Sequence, residues 1–199
     1  MGSKARIQRL KENTRSNILK AALHIVKQEG WPALSMRRIA EEIDYTAPVI
    51  YEYFTGKESL MAELSNTGYQ LLVSQIIAAK EGVINAIDQW QAMWLAYWQF
   101  AFAEKELYQA MFGMEVHCSS SQEVNRKSDE VAALFMGVIK DLTNGKNITD
   151  EQICTRYLMC WSVIHGLISI NLVNKVKAVE INQHVLHEAI QGVITSIIK

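Results

Sequence analysis

The stretch TAPVIYEYF, residues 46–54, decides how the chain is read. It has the form of a short helix. Thr46 stands at a capping position, and Pro48 falls in the first turn, where backbone N–H groups have no intrahelical partner. Ile50 and Phe54 are four apart and share one face, the face that would meet a core. Ala47, Pro48, Val49, Tyr51 and Tyr53 then point outward or sideways. Two tyrosines at i and i+2 cannot both be buried on one face, so the helix presents a surface that serves something other than packing.

Upstream, the apolar residues Ile18, Ala21, Ala22, Ile25 and Val26 recur at helical spacing, which predicts a helix over Thr14–Glu29. Gly30 ends it, and Trp31-Pro32 forms a link with the indole as a core plug. Ser35 caps a second helix, Met36–Ile43, with Ile39, Ala40 and Ile43 inward. Asp44-Tyr45 makes a turn into the stretch at 46–54. Thr55 and Glu58 have capping-box spacing and open a long helix through Leu60, Leu64, Leu71, Leu72 and Ile76. Residues 14–54 thus hold three short helices, the last two joined by a tight turn, which is the helix-turn-helix arrangement.

The remainder is predicted all helix: Val83–Ala103, Glu104–Met114, Gln122–Leu142, a turn at Asn144–Asn147, a helix to Val173 begun by the box Thr149…Gln152, and a last helix over Ile181–Ile198. Both prolines lie in the first quarter, and no strand pattern persists. The expected fold is all-α, with an N-terminal helix-turn-helix DNA-binding domain over residues 1–56 and a helical C-terminal domain over 57–199.

Charge is uneven. Residues 1–60 hold ten Lys and Arg against seven Asp and Glu; residues 61–199 hold ten against fourteen. Six basic residues (Lys4, Arg6, Arg9, Lys11, Arg15, Lys20) face Glu12 alone in the first twenty. A basic end on a near-neutral chain points to a polyanion. The polar, basic N-terminus has no signal-peptide pattern, and no run reaches the roughly 18 apolar residues of a membrane span. Cys118, Cys154 and Cys160 lack paired spacing and read as free thiols of a cytoplasmic protein.

A helix-turn-helix must lay its second helix in the major groove, N-terminal residues against base edges. Small apolar residues there can touch thymine methyls, and tyrosine hydroxyls can reach phosphate. The run Ser35-Met36-Arg37-Arg38-Ile39-Ala40, then Tyr45 to Phe54, then Lys57-Glu58-Ser59-Leu60, resembles the N-terminal signature of the TetR family of transcriptional regulators without a gap from Thr14 to Leu60. Asp44-Tyr45 stands where Gly-Val is usual and Pro48 where Gly is common; Asp44 must take a turn geometry that glycine takes freely. The resemblance implies that Arg37 reaches a base edge or phosphate, that Ala47, Pro48 and Val49 face bases and that Ser35, Thr46, Tyr51, Tyr53 and Lys57 grip the backbone. Lys4, Arg6, Arg9 and Arg15 would add electrostatic reach. Arg38 would be solvated or paired with Glu41 or Glu42.

The second half is rich in aromatic residues and methionine, which line many small-molecule cavities. Glu106–Gly113 and Trp161-Ser162-Val163-Ile164-His165-Gly166 resemble a W-x-x-x-H-G class of TetR C-terminal domains. The resemblance implies a homodimer whose effector cavity draws on Trp90, Trp94, Trp98, Met111, Met114, His117, Tyr157, Trp161 and His165. Core filling is the plainer role for any one of these rings, and His165 is equally a core histidine or a ligand contact. Dimer contacts are expected from Ile153, Tyr157, Cys160, Ile164, Leu167, Ile168 and Leu172, with Val185, Ala189, Val193, Ile194 and Ile197. No catalytic motif, metal set or cofactor site is expected: His184, His187 and Glu188 lack a third ligand partner, and Cys118 beside His117 is the one candidate nucleophile. The rival reading without an effector is an architectural DNA-binding protein.

Overall fold

The computed structural model describes residues 3–113, 122–143, 147–174 and 179–198. Among them the chain forms nine α-helices and no strand: α1 (Ser3–Glu29), α2 (Met36–Glu42), α3 (Ala47–Tyr53), α4 (Lys57–Lys80), α5 (Ala86–Ala103), α6 (Lys105–Phe112), α7 (Gln122–Leu142), α8 (Asp150–Asn174) and α9 (Val179–Ile198). This is the all-α fold the sequence predicts. One compact unit comprises residues 1–68 and 106–124, and the other residues 69–105 and 125–199. The first contains α1, α2, α3, the start of α4 and α6; α4 runs on into the second.

In the first unit the helix ends follow from local chemistry. Gly30 takes φ 85°, and its N–H closes on Val26 O at 2.9 Å, ending α1. Trp31–Ala33 is a 3-10 turn that buries Trp31. Ser35 Oγ accepts from the Arg38 N–H at 3.1 Å and caps α2. Asp44 adopts φ 56°, and the Tyr45 N–H reaches back to Ala40 O at 2.9 Å, a Schellman closure with aspartate where glycine is usual.

Two predicted details differ. α1 begins at Ser3 rather than Thr14, so the basic segment is the first turns of a helix, with Gln8 Nε2 bonded to Glu12 at 2.8 Å. Nothing from Ser3 to Thr14 breaks a helix, and Lys, Arg, Gln and Leu favour one. The Thr55…Glu58 box does not form. The Gly56 N–H is held instead by Ser59 Oγ at 3.2 Å, one residue later in register.

The second unit is built on the buried faces of α5, α7, α8 and α9; Trp90, Trp94, Phe135, Ile164 and Ile168 are all fully enclosed. Asn85 caps α5 by accepting from the Ile87 N–H at 2.8 Å. The box predicted at Thr149 forms reciprocally: the Thr149 N–H donates to Gln152 Oε1 at 2.9 Å, and the Gln152 N–H donates to Thr149 Oγ1 at 3.2 Å.

The faces of α8 correct the predicted dimer contacts. Ile153, Tyr157, Cys160, Ile164 and Ile168 form the stripe buried within the chain, while Leu158, Met159, Val163, Ile170 and Val173 are exposed. On α9 Ile194 is likewise buried, whereas Val185 stays exposed; the side chains of Val193 and Ile197 lie outside the described residues. By length and composition alone α8 could cross a membrane, with mean hydropathy 1.3 over an 18-residue window within Asp150–Val173, although no apolar run in it approaches that length.

Candidate nucleic-acid interface and effector site

α2 and α3 pack on each other and α2 on α1. Ile50 and Phe54 are buried, as their spacing predicts. On the opposite side Pro48 and Tyr51 are exposed, and Ala47, Val49 and Tyr53 are half-buried. The core therefore takes one face of α3 and leaves the other to solvent.

Thr46 holds the N-cap position of α3, but its hydroxyl makes no capping bond; the helix start is closed through backbone alone, Val49 N–H to Thr46 O at 3.0 Å. That hydroxyl is thus uncommitted. Ser35 is exposed while its oxygen caps α2. Lys57 Nζ donates to Trp31 O at 3.4 Å.

The two arginines of α2 differ. Arg37 is 86% exposed at its side chain, with Nε 3.0 Å from Glu41 Oε1 one turn on. In high dielectric such a pair contributes little and opens readily for a better anion. Arg38 pairs with Glu29 at 2.8 Å and Glu42 at 3.4 Å, tying α2 to the end of α1, and its pKa is raised chiefly by the Glu29 hydrogen bond. Of its two predicted partners Glu42 is present; Glu29, on another helix, was not anticipated. Beside them a groove of about 330 Å³ opens between α1 and the turn, lined by Asn17, Lys20, His24, Glu42 and Tyr45.

Arg15 was expected to point at DNA. It is held inward: Nη1 donates to Tyr53 O at 3.2 Å, Nη2 lies 3.0 Å from Glu63, and the guanidinium stands 4.4 Å over the Phe54 ring. Lys4, Arg6, Arg9 and Lys11 remain exposed along α1.

In the second unit the structure brings Trp90, Trp94 and Tyr157 together with Tyr97, of the same aromatic helix, and with Phe135 of α7, which sequence reasoning did not place in the site. Trp94 stacks on Phe135 at 4.0 Å between ring centroids and faces Tyr157 at 6.2 Å; Trp90 meets Trp94 edge-on at 5.6 Å. Trp90 and Trp94 are fully enclosed, and both indole N–H groups are buried without a hydrogen-bond partner, as is one Nη of Arg156 on α8. Buried orphan donors are uncommon, because each costs about 1–3 kcal/mol. A ligand meets these rings only where their packing opens.

Trp161 donates from Nε1 to Tyr97 Oη at 3.1 Å and stacks on His165 at 4.7 Å. Burial lowers the His165 pKa from its ordinary 6.5, which favours the neutral ring. Burial likewise raises the pKa of the Tyr157 phenol, and it pushes the Cys160 thiol up to about 12. Trp98 is half-buried and pairs with Phe102 at 4.8 Å. Met111 lies in the first unit, against Gly68. Met114, His117 and Cys118 lie outside the described residues. His184, His187 and Glu188 are exposed on α9.

Two family models match: "Bacterial regulatory proteins, tetR family" over residues 18–64, and "Tetracyclin repressor-like, C-terminal domain" over residues 90–192. A curated relative from Haemophilus influenzae, an uncharacterized HTH-type transcriptional regulator, is 23% identical over 94 residues, 47% of this chain; the chain spans about half (50%) of that relative's length. A protein of unknown function from Rhodococcus sp. RHA1 has the same fold, with TM-score 0.79 at 19% identity over 93% of this chain and 95% of its own. The transcriptional regulator FadR from Bacillus subtilis, solved in complex with stearoyl-CoA, is similar at TM-score 0.71 and 16% identity over 89% and 98%.

Proposed function

The chain belongs to the TetR family of transcriptional regulators, and from that membership we propose that it is a repressor, binding a palindromic operator as a homodimer and released by a small, largely apolar or aromatic effector. Transcription regulation and DNA binding come with the family. The finer reading rests above all on α3, which buries Ile50 and Phe54 and leaves Pro48 and Tyr51 exposed.

In this reading α3 enters the major groove. Ala47, Pro48 and Val49 meet base edges, and Arg37 exchanges Glu41 for guanine or phosphate. Ser35, Thr46, Tyr51, Tyr53 and Lys57 fix the register on the backbone. Two copies would set their reading helices one DNA turn apart, ~34–36 Å.

The effector would bind in the C-terminal domain, residues 57–199, among Trp90, Trp94, Trp98, Tyr157, Trp161 and His165. Two orphaned indole donors and the unpaired Nη of Arg156 favour a ligand that carries acceptor oxygens within an apolar frame. The stearoyl-CoA complex of the B. subtilis regulator, which shares the fold, supports an apolar ligand. α4, continuous from the first unit into the second, is the covalent route by which a displacement would reach the DNA-binding end. A swing from 1:99 to 99:1 needs a preference of ~5.5 kcal/mol for one state.

The test titrates labelled DNA from upstream of the protein's own gene against a scrambled duplex at several salt concentrations. Specific binding with a steep salt slope, lost in Tyr51→Ala and Arg37→Ala, is the expected result. Equal, weak binding to both duplexes would overturn autoregulation through α3.

A further inference from the structure

We propose that Arg15 is a positioning residue, which with Glu63 locks the C-terminal end of α3 to α4 and so sets the angle at which α3 meets DNA. The proposal rests on α3 being the reading helix.

The guanidinium is spent on three sides. Nη1 donates to Tyr53 O at 3.2 Å, Nη2 pairs with Glu63 Oε2 at 3.0 Å, and its face lies 4.4 Å from the Phe54 centroid. Tyr53 is the last residue of α3 and Phe54 its C-cap. A helix leaves its last carbonyls without intrahelical partners, and a cation there also meets the negative end of the helix dipole. Arg15 thus supplies the donor that the end of α3 lacks. α3 has only seven residues, and its anchor in the core is Ile50 with Phe54. Two apolar contacts on so short a helix leave tilt about its own axis weakly fixed. The arginine adds a directional bond from α1 at one end and ties it to α4 through Glu63.

Only an arginine can do this. A lysine keeps the charge but has no planar fork to bond carbonyl and carboxylate at once and no flat face for the ring. The pairing also makes Arg15 a poor phosphate clamp, because a phosphate would have to displace Glu63 and leave the Tyr53 carbonyl bare.

The two roles predict opposite signs for one substitution. If Arg15 gripped phosphate, Glu63→Gln would free it and remove a negative charge near DNA, so binding would tighten. If Arg15 positions α3, Glu63→Gln loosens the helix and operator binding weakens despite the more favourable charge.

The probe is a duplex enriched from a random-sequence library by the wild-type full chain. Affinity for it and for an unselected duplex is measured across a salt series, well below each variant's melting temperature. Arg15→Lys and Glu63→Gln are each expected to weaken operator binding about tenfold, with nonspecific binding and salt slope unchanged. Tighter binding by Glu63→Gln, or a fall in salt slope of about one contact with equal losses on both duplexes in Arg15→Lys, would overturn the proposal. So would variants that melt earlier yet keep the wild-type preference for operator, since that marks a purely structural role. If Arg15→Lys does not fold, the sign of the Glu63→Gln effect decides alone. If the wild type enriches no sequence, or Tyr51→Ala and Val49→Ser leave operator affinity intact, the reading of α3 falls instead, and the proposal with it.

Discussion

Trp31 Nε1 donates a 3.0 Å hydrogen bond to Gln109 Oε1, joining the link between α1 and α2 to the middle of α6 across 78 residues of sequence. Trp31 is 5% exposed, so the indole N–H has little access to water when that acceptor is lost. The same residue's carbonyl accepts from Lys57 Nζ at 3.4 Å, at the start of α4. α6 is thereby tied to the segment that orients α2. Gln109→Met keeps the side-chain length and removes the acceptor; we expect a loss of about 1–3 kcal/mol, the cost of an orphaned donor. Trp31→Phe removes the donor and leaves the glutamine partly solvated. A double-mutant cycle by urea unfolding should give a coupling of about 1 kcal/mol, and independent effects would show that the bond is not formed in solution.

Gly68 of α4 is pressed against the same helix. A Cβ there would lie 2.6 Å from Met111 Sδ, 3.0 Å from Met111 Cγ and 3.3 Å from Leu107 Cβ. Helix propensity favours alanine over glycine by about 1 kcal/mol, but the overlap opposes it. Met111 makes the two shortest contacts and must give up its packing on α4 to clear them; Leu107 Cβ, at 3.3 Å, needs a shift of only a few tenths of an ångström. Gly68→Ala is therefore expected to destabilise by about 1 kcal/mol net. In a Met111→Ala background the same change should stabilise, because it then fills the space that methionine vacates. The sign reversal, read from chemical denaturation, is the test; a stabilising Gly68→Ala in the wild-type chain would show that the two helices separate freely.

The ends of helices were legible because their causes are local. Gly30, Ser35 and the Thr149…Gln152 box act within four residues of themselves, and each stands as its sequence predicts. So does the division of α3, since Ile50 and Phe54 are an i, i+4 pair and share the one face that the core takes. What failed was long-range or symmetric. Arg15 looked like one more base in a positive segment because its partners Tyr53, Phe54 and Glu63 are 38 to 48 positions away. Gln109 gave no signal, for a neutral amide on a helix has no preferred partner in sequence. α8 is apolar on more than one side, so periodicity finds two stripes and cannot say which meets the chain's own core. The aromatic run on α5 announced a cluster but not Phe135, which enters from α7.

Cysteine chemistry should follow burial. Cys160 is 1% exposed, and its thiol pKa is pushed from 9.0 up to about 12, so almost no thiolate exists at neutral pH. Cys154, six residues earlier on α8, is half-buried. In the folded protein a Cys118→Ser variant is expected to react with a thiol reagent once per chain at Cys154, and a second time only on unfolding. A group whose folded pKa is raised contributes stability that is intact below the unfolded value and lost as pH rises through the folded one. Unfolding free energy should therefore decline above pH about 9, and less so in Cys160→Ala. Rapid labelling of Cys160 at neutral pH would contradict the burial.

His165 gives the converse dependence. Its pKa is lowered by burial, and its ring lies 4.7 Å from that of Trp161. The unfolded chain then binds the proton more tightly, so stability is expected to fall as pH drops below 6.5, the unperturbed value. His165→Asn should flatten that limb while leaving the high-pH limb in place. Thermal unfolding from pH 5 to about 11 reads both, and a stability that rises on acidification would mean that the imidazolium is favoured in the fold.

The exposed stripe of α8 has the spacing of a helix–helix seam. Met159, Val163, Gly166, Ile170 and Val173 follow one another at intervals of four and three, and the four side chains are 55%, 48%, 53% and 67% exposed. Apolar residues repeating at that interval along one helix bury best against a second helix. Gly166 sits at the centre, and a Cβ there meets nothing within 4 Å in the single chain. That contrast separates a fold effect from an assembly effect. Gly166→Leu should leave the helical content of the chain unchanged yet hold two α8 helices apart, and Val163→Glu should bury an unpaired carboxylate only in the dimer. Sedimentation is expected to show a dimer for the wild-type chain and a monomer for Val163→Glu, with Gly166→Leu weakened by tenfold or more. Both variants should lose operator affinity steeply, because half-sites read one at a time forfeit the second set of contacts. A Val163→Glu chain that remains dimeric would place the twofold interface elsewhere than on this seam.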